Sequence, residues 1–171
     1  LMSLNSISAT IIPQTDPHQG EYLAEHWQVR RWLSGFTGSA GDLVVTRNEA
    51  FIWADSRYWL QSAQQLSGTC IGVMEDGKPA TPSIPEWLCA TIPAGSTVGI
   101  DGMVFSVTAA EQLSSRLAAS GISLNTDFSP IDLIWTDRPS LPKAKAFIHE
   151  EKYAGESASS KISRILENVK A

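Results

Sequence analysis

At 171 residues the chain has the length of about one domain. Hydrophobic residues make up 43% and charged ones 18%, the composition of a soluble globular domain with a substantial core. The net charge of −5 and the lack of a basic run argue against nucleic-acid binding, and no apolar stretch approaches the roughly 18 residues of a membrane span.

Leu1-Met2-Ser3-Leu4-Asn5 carries no basic segment of the kind that opens a secretory signal. Ile7 to Pro13 reads as a strand that stops at the proline, and Thr15-Asp16-Pro17-His18 as a turn. Glu21 to Leu33 is expected to be helical, with Leu23, Trp27, Arg30 and Arg31 close to helical spacing. Gly35 ends that helix and opens a loop, Ser34-Gly-Phe-Thr-Gly-Ser-Ala-Gly41, with a glycine at every third position. Leu43–Thr46 and Ala50–Trp53 flank three polar residues, which predicts a hairpin.

A helix over Arg57–Leu66 is closed by Gly68, and Cys70–Met74 follows as a strand. Ser83-Ile84-Pro85-Glu86 has capping-box spacing with proline in the first turn, so a helix should run to about Thr91. Val98–Ile100 is a short strand. A second capping box at Thr108–Glu111 starts a helix with Leu113 and Leu117 on one face and Gly121 at its end, and Ile122–Leu124 is the next strand. The texture changes at Ile131. Trp135–Pro142 is proline-punctuated and extended, and Ser157–Val169 is amphipathic, with Ile162, Ile165, Leu166 and Val169 on one stripe that needs a surface to pack on. Strands interleaved with helices predict a three-layer α/β domain, a central mixed sheet flanked by helices with at least one antiparallel pair.

Six tryptophans imply either an aromatic core or a surface for a partner. Cys70 and Cys89 match no zinc or redox spacing and read as two reduced, buried thiols of a cytosolic protein. The glycine loop resembles phosphate cradles, yet it follows a helix, precedes a strand and lacks a GK[ST] sequence. His18 with Asp16 and Glu21 is the nearest approach to a metal set, and turn-forming or capping roles explain the acids equally well. Ser34, Ser39 and Ser56 lie in no nucleophile elbow. Asp55 and Arg57, just past a strand end, carry two readings. One is a capping aspartate beside a solvated arginine; the other is a guanidinium fork held out for a peptide carbonyl or carboxylate.

Ile11-Ile12-Pro13, Asp16-Pro17-His18, Arg31 before SGFTGSAG, Trp53-Ala-Asp55-Ser-Arg57-Tyr58, Val98-Gly99-Ile100-Asp101 and Ile134-Trp135-Thr-Asp-Arg138-Pro139 occur in this order. Together they resemble the N-terminal domain of aminopeptidase P, the Xaa-Pro aminopeptidase of the creatinase/prolidase superfamily, with its ribonuclease H-like motif. The resemblance implies residues 1–150 as that domain and 151–171 as a linker and the first helix of a second one. It implies a cytoplasmic, homodimeric metallopeptidase acting on peptides with proline in second position. Two divalent metals, manganese by resemblance, would lie in a catalytic domain beyond this chain. No metal and no catalytic residue are expected here. Arg57 matches the family's peptide-contacting arginine, with Asp55, Phe36 and Tyr58 in support. Ala54 and Ser56 depart from the commoner Thr and Gly. The helix that usually precedes the first strand is reduced to Leu1–Leu4, leaving one apolar side of that strand uncovered. The competing readings are a stand-alone protein-binding or assembly module and a small-anion-binding α/β domain.

Overall fold

The structure, a computed structural model, describes residues 1–169. By its contacts the chain divides into two compact units, Leu1–Leu141 and Pro142–Ala171, whereas the resemblance puts the change between residues 150 and 151.

The first unit is built on six strands: β1 (Ala9–Ile12), β2 (Asp42–Thr46), β3 (Ala50–Ala54), β4 (Ile71–Glu75), β5 (Thr97–Gly99) and β6 (Ser123–Asn125). Their order across the sheet is β4-β3-β2-β1-β5-β6. β1 with β2 and β2 with β3 are antiparallel, and the remaining pairs are parallel. The sheet is therefore mixed, as the interleaving of strands and helices predicts.

Side chains alternate between its two faces with the period of 2 that a strand imposes. In β3, Phe51 and Trp53 point to one core, whereas Ala50, Ile52 and Ala54 point to the other. The first core joins Ile11, Val44 and Val98 to Leu88 of helix α3 (Ile84–Thr91) and to Leu113 and Leu117 of α4 (Val107–Ala118). The second joins Leu43, Ile52 and Phe36 to Leu33 of α1 (Val29–Ser34) and to Leu66, just after α2 (Trp59–Gln65). Helices on both faces of one sheet make three layers.

Local signals hold where their partners are local. α3 starts at the expected capping box, with the Ser83 and Glu86 side chains and backbones bonded reciprocally. α4 begins earlier than its expected box, because Ser106 accepts the Ala109 N–H and so caps the helix in place of Thr108. The long helix expected over Glu21–Leu33 is replaced by a tight turn at Glu25–Trp27 and a short α1. Tertiary ties overrule the spacing there. Gln28 leaves helical geometry at ψ 45°, and its side-chain amide donates to the Leu23 carbonyl. Arg138 donates to the His26 carbonyl at 2.9 Å and stacks over Trp27, while the His26 ring bonds the Pro139 carbonyl at 2.7 Å. That gives a structural purpose to the Trp135–Pro139 motif, which follows a one-turn helix α5 (Ile131–Ile134).

Cys89 is partly buried and Cys70 is exposed in the bend before β4, so the expectation of two buried thiols fails at Cys70. A cleft of about 290 Å³ opens beside β1, lined by Thr10, Ile12, Val45, Leu33, Phe128 and Ile131 among others. The second unit contains α6 (Glu151–Ala154) and α7 (Ala158–Val169). The α7 stripe Ile162, Ile165, Leu166 and Val169 is more than half exposed at each position.

Candidate functional site

The glycine loop, the start of β2 and the ends of β3 and β4 meet at one end of the sheet. Asp55 follows β3 directly, and its carboxylate closes a tight Asx turn by accepting the Arg57 backbone N–H at 3.0 Å. The same carboxylate takes the Arg57 side chain in a fork, Nε at 3.1 Å and Nη2 at 2.7 Å. These bonds hold the Asp55 carboxyl below its ordinary range and raise the Arg57 guanidinium. Both readings of the pair are present at once: Asp55 does cap the turn, and it also fixes the plane of an arginine whose side chain stays 65% exposed.

Of the five N–H groups on a guanidinium, Asp55 uses two. Among the described residues the other three have no hydrogen-bonded partner. Tyr58 lies under the group, with the Arg57 guanidinium carbon 5.3 Å from its ring centre. The Tyr58 hydroxyl is bonded to Ser39 Oγ at 2.7 Å, and this contact lowers the phenol's pKa. Beside the pair lies a small cleft lined by Gly41, Asp42, Asp55, Asp76 and Ser83 among others, about 290 Å³ in volume. Burial pushes the Asp42 carboxyl up, and the nearby Asp76 charge adds to this, against the Gln14 N–H and the charge of Arg30.

Phe36, expected to support the site, is fully buried and belongs to the second core, so it supports the site from beneath and offers no surface to a ligand. Its ring packs edge-on to Tyr58, with centres 6.1 Å apart. The loop is tied to α2 through Thr37. Its Thr37 N–H is taken by Gln65 at 2.9 Å, and Thr37 Oγ1 receives both Gln61 and Gln65. A Cβ on Gly38 would stand 2.4 Å from the Phe36 ring and 2.8 Å from Tyr58. One on Gly41, at φ 114°, would stand 2.6 Å from the Trp53 carbonyl oxygen. These two glycines are therefore demanded by close packing at the loop's inner wall.

Sequence reasoning missed Arg30. It was placed on a helix face by spacing alone, but it is 1% exposed and lies under the loop. Nη1 donates to Ala40 O at 3.0 Å and Gly41 O at 2.8 Å, Nη2 donates to Gly38 O, and the group stacks 4.6 Å from the Phe36 ring centre. Burial lowers its pKa to about 10, with Asp42 and Tyr58 working in the opposite direction. No local signal marks it, because the carbonyls it holds lie 8 to 11 residues further along the chain.

His18 and Asp16 form a turn: Asp16 Oδ1 accepts the His18 and Gly20 N–H groups at 2.9 and 3.0 Å. Among the described residues no three His, Cys, Asp or Glu side chains converge as a metal set. Among the same residues no helix is long and apolar enough to cross a membrane.

A mixed sheet between two helical layers, with one carboxylate-anchored arginine exposed past a strand end, defines a three-layer α/β domain. The chain belongs to the Creatinase/Prolidase N-terminal domain family, which residues 1–138 match. It is 42% identical over 159 residues to aminopeptidase P2 of Arabidopsis thaliana, covering 91% of this chain and 22% of that protein. It is 37% identical over 168 residues to Xaa-Pro aminopeptidase 2 of Homo sapiens, covering 96% and 24%. Its structure resembles X-prolyl aminopeptidase from Caenorhabditis elegans, described as a cytosolic enzyme with a dinuclear active site. There the TM-score is 0.83 and the identity 32%, over 96% of this chain and 27% of that one. The chain thus spans about a quarter of the length of these relatives.

Proposed function

We propose that the chain serves as the non-catalytic N-terminal domain of a metal-dependent Xaa-Pro aminopeptidase, which releases an N-terminal residue preceding proline, and that Arg57 contacts the bound peptide. The supporting observation is the Asp55–Arg57 fork. It orients an exposed guanidinium and leaves three of its N–H groups without a partner among the described residues. A planar fork of this kind matches a carboxylate or a pair of peptide carbonyls, and preorientation by Asp55 reduces the ordering cost of binding.

In this reading the two divalent metals, with manganese the expected ion, reside in a catalytic domain outside these residues and activate water when bound. The N-terminal domain contributes binding and placement, and on its own it is inactive. A cytoplasmic location follows by likeness to the cytosolic Caenorhabditis elegans enzyme.

In a full-length protein containing this chain, Arg57→Ala is expected to raise KM for an Xaa-Pro peptide about 10- to 100-fold, the equivalent of one charge-assisted hydrogen bond. Metal content should stay constant. Unchanged kinetic constants would reject the role.

A further inference from the structure

We propose that Arg30 is a positioning residue for the site: by gripping the glycine loop from beneath, it sets Ser39 against Tyr58, and Tyr58 in turn steadies Arg57. The proposal rests on the peptide-contacting role of Arg57 for its functional meaning, and on geometry for its mechanism.

Arg30 holds three carbonyls of one short loop, those of Gly38, Ala40 and Gly41. Ser39 is flanked by two of these gripped residues, so its placement follows from theirs. From the other side the loop is held through Thr37 by Gln61 and Gln65 of α2. Between these clamps, Ser39 Oγ meets the Tyr58 hydroxyl at 2.7 Å. The Tyr58 ring is boxed by Phe36 at one edge and by the Gly38 backbone, where no Cβ could be accommodated. Arg57 lies over that ring. Each link is a direct contact, and the chain of contacts runs from a buried cation to an exposed one.

A fold-stabilising role alone would not require the loop to reach Tyr58. Arginine suits the task better than lysine because its planar donors reach several carbonyls at fixed angles. The Arg30 Nε–H has no partner among the described residues, so the side chain sits where the carbonyls are, without full satisfaction of its own donors.

The test uses the 171-residue chain and nuclear magnetic resonance of the Arg57 Nε–H group. Ser39→Ala and Tyr58→Phe each delete the loop-to-ring hydrogen bond at the surface and leave Arg30 in place. Both are expected to speed solvent exchange of the Arg57 Nε–H about tenfold or more, a local opening without global unfolding. Arg30→Lys should do the same and should also speed exchange of the loop amides 37–41, leaving those of β2 and β3 unchanged. Unaltered Arg57 exchange in Ser39→Ala and Tyr58→Phe would overturn the proposal, whether or not the Arg30 variants fold.

In a full-length protein, Ser39→Ala should raise KM several-fold with kcat retained, and should add nothing once Arg57 is alanine. If Arg57→Ala leaves KM untouched, the peptide-contact reading falls. The exchange measurement then still decides the positioning role by itself.

Discussion

Arg30 and Arg57 put the same side chain to opposite uses. Arg30 is buried, bonded to three loop carbonyls through its Nη groups, and pulled down in pKa by burial; Arg57 is exposed, paired to a carboxylate, and raised. Only the second was legible in the sequence, because its partner Asp55 lies two residues away and an Asp-x-Arg spacing past a strand end is a local pattern. The partners of Arg30 lie 8 to 11 residues ahead, in a loop whose path depends on the sheet. The inward direction of Phe36 was hidden for a related reason: an aromatic in a glycine loop gives no sign of which way it faces, and here it packs against Tyr58 from within the core. The Asp55 bond makes a prediction about acid. Its folded-state pKa lies below the ordinary 3.8, so the stability it lends is complete above that value. It is lost as pH falls through the lower, folded value, when the fork on Arg57 opens. Carbon-13 titration of the Asp55 carboxyl should give a midpoint under 3.8, and a midpoint above it would contradict the pairing.

At the level of elements, success followed the range of the determining contact. The β2–β3 hairpin and the α3 capping box are set by residues within a few positions of each other, and both form where expected. The helix over Glu21–Leu33 failed because its periodicity competed with Arg138 and Pro139, more than 110 positions away. The same contrast separates two substitutions. Ser106→Ala removes the cap of α4 and should cost about 1 kcal/mol in urea unfolding. Gly38→Ala forces a methyl group into the Phe36 and Tyr58 rings and should cost about 1–3 kcal/mol. It should also disturb Arg57, which Ser106→Ala should leave alone. The six tryptophans divide in a similar way. Each has an aromatic or cationic partner within the first unit: Trp53 with Trp87, Trp32 with Trp135, Trp27 under Arg138 and Trp59 under Lys78. Trp53 and Trp135 are buried and fit the aromatic-core reading, whereas Trp32 is 39% exposed and does not.

For the molecule as a whole, the three-layer class was readable from the alternation of strands and helices. The strand order was not, since pairing between β1 and β5 joins residues about 90 positions apart and leaves no local trace. That order has a consequence for synthesis. The earliest strand to leave the ribosome becomes an inner strand of the finished sheet, and the stretch from β1 to β4 is complete while β5 and β6 are still unmade. Until Thr97–Gly99 emerges, the nascent chain carries an open, apolar β1 edge of the kind that recruits foreign strands. Chains released before Thr97 should therefore sediment as aggregates, while chains released after Asn125 stay monodisperse. Recovery of the shorter chains as stable monomers would mean that the half-sheet protects its own edge. The order of manufacture thus leaves a seam in the middle of this sheet open until the four strands on its near side are already made.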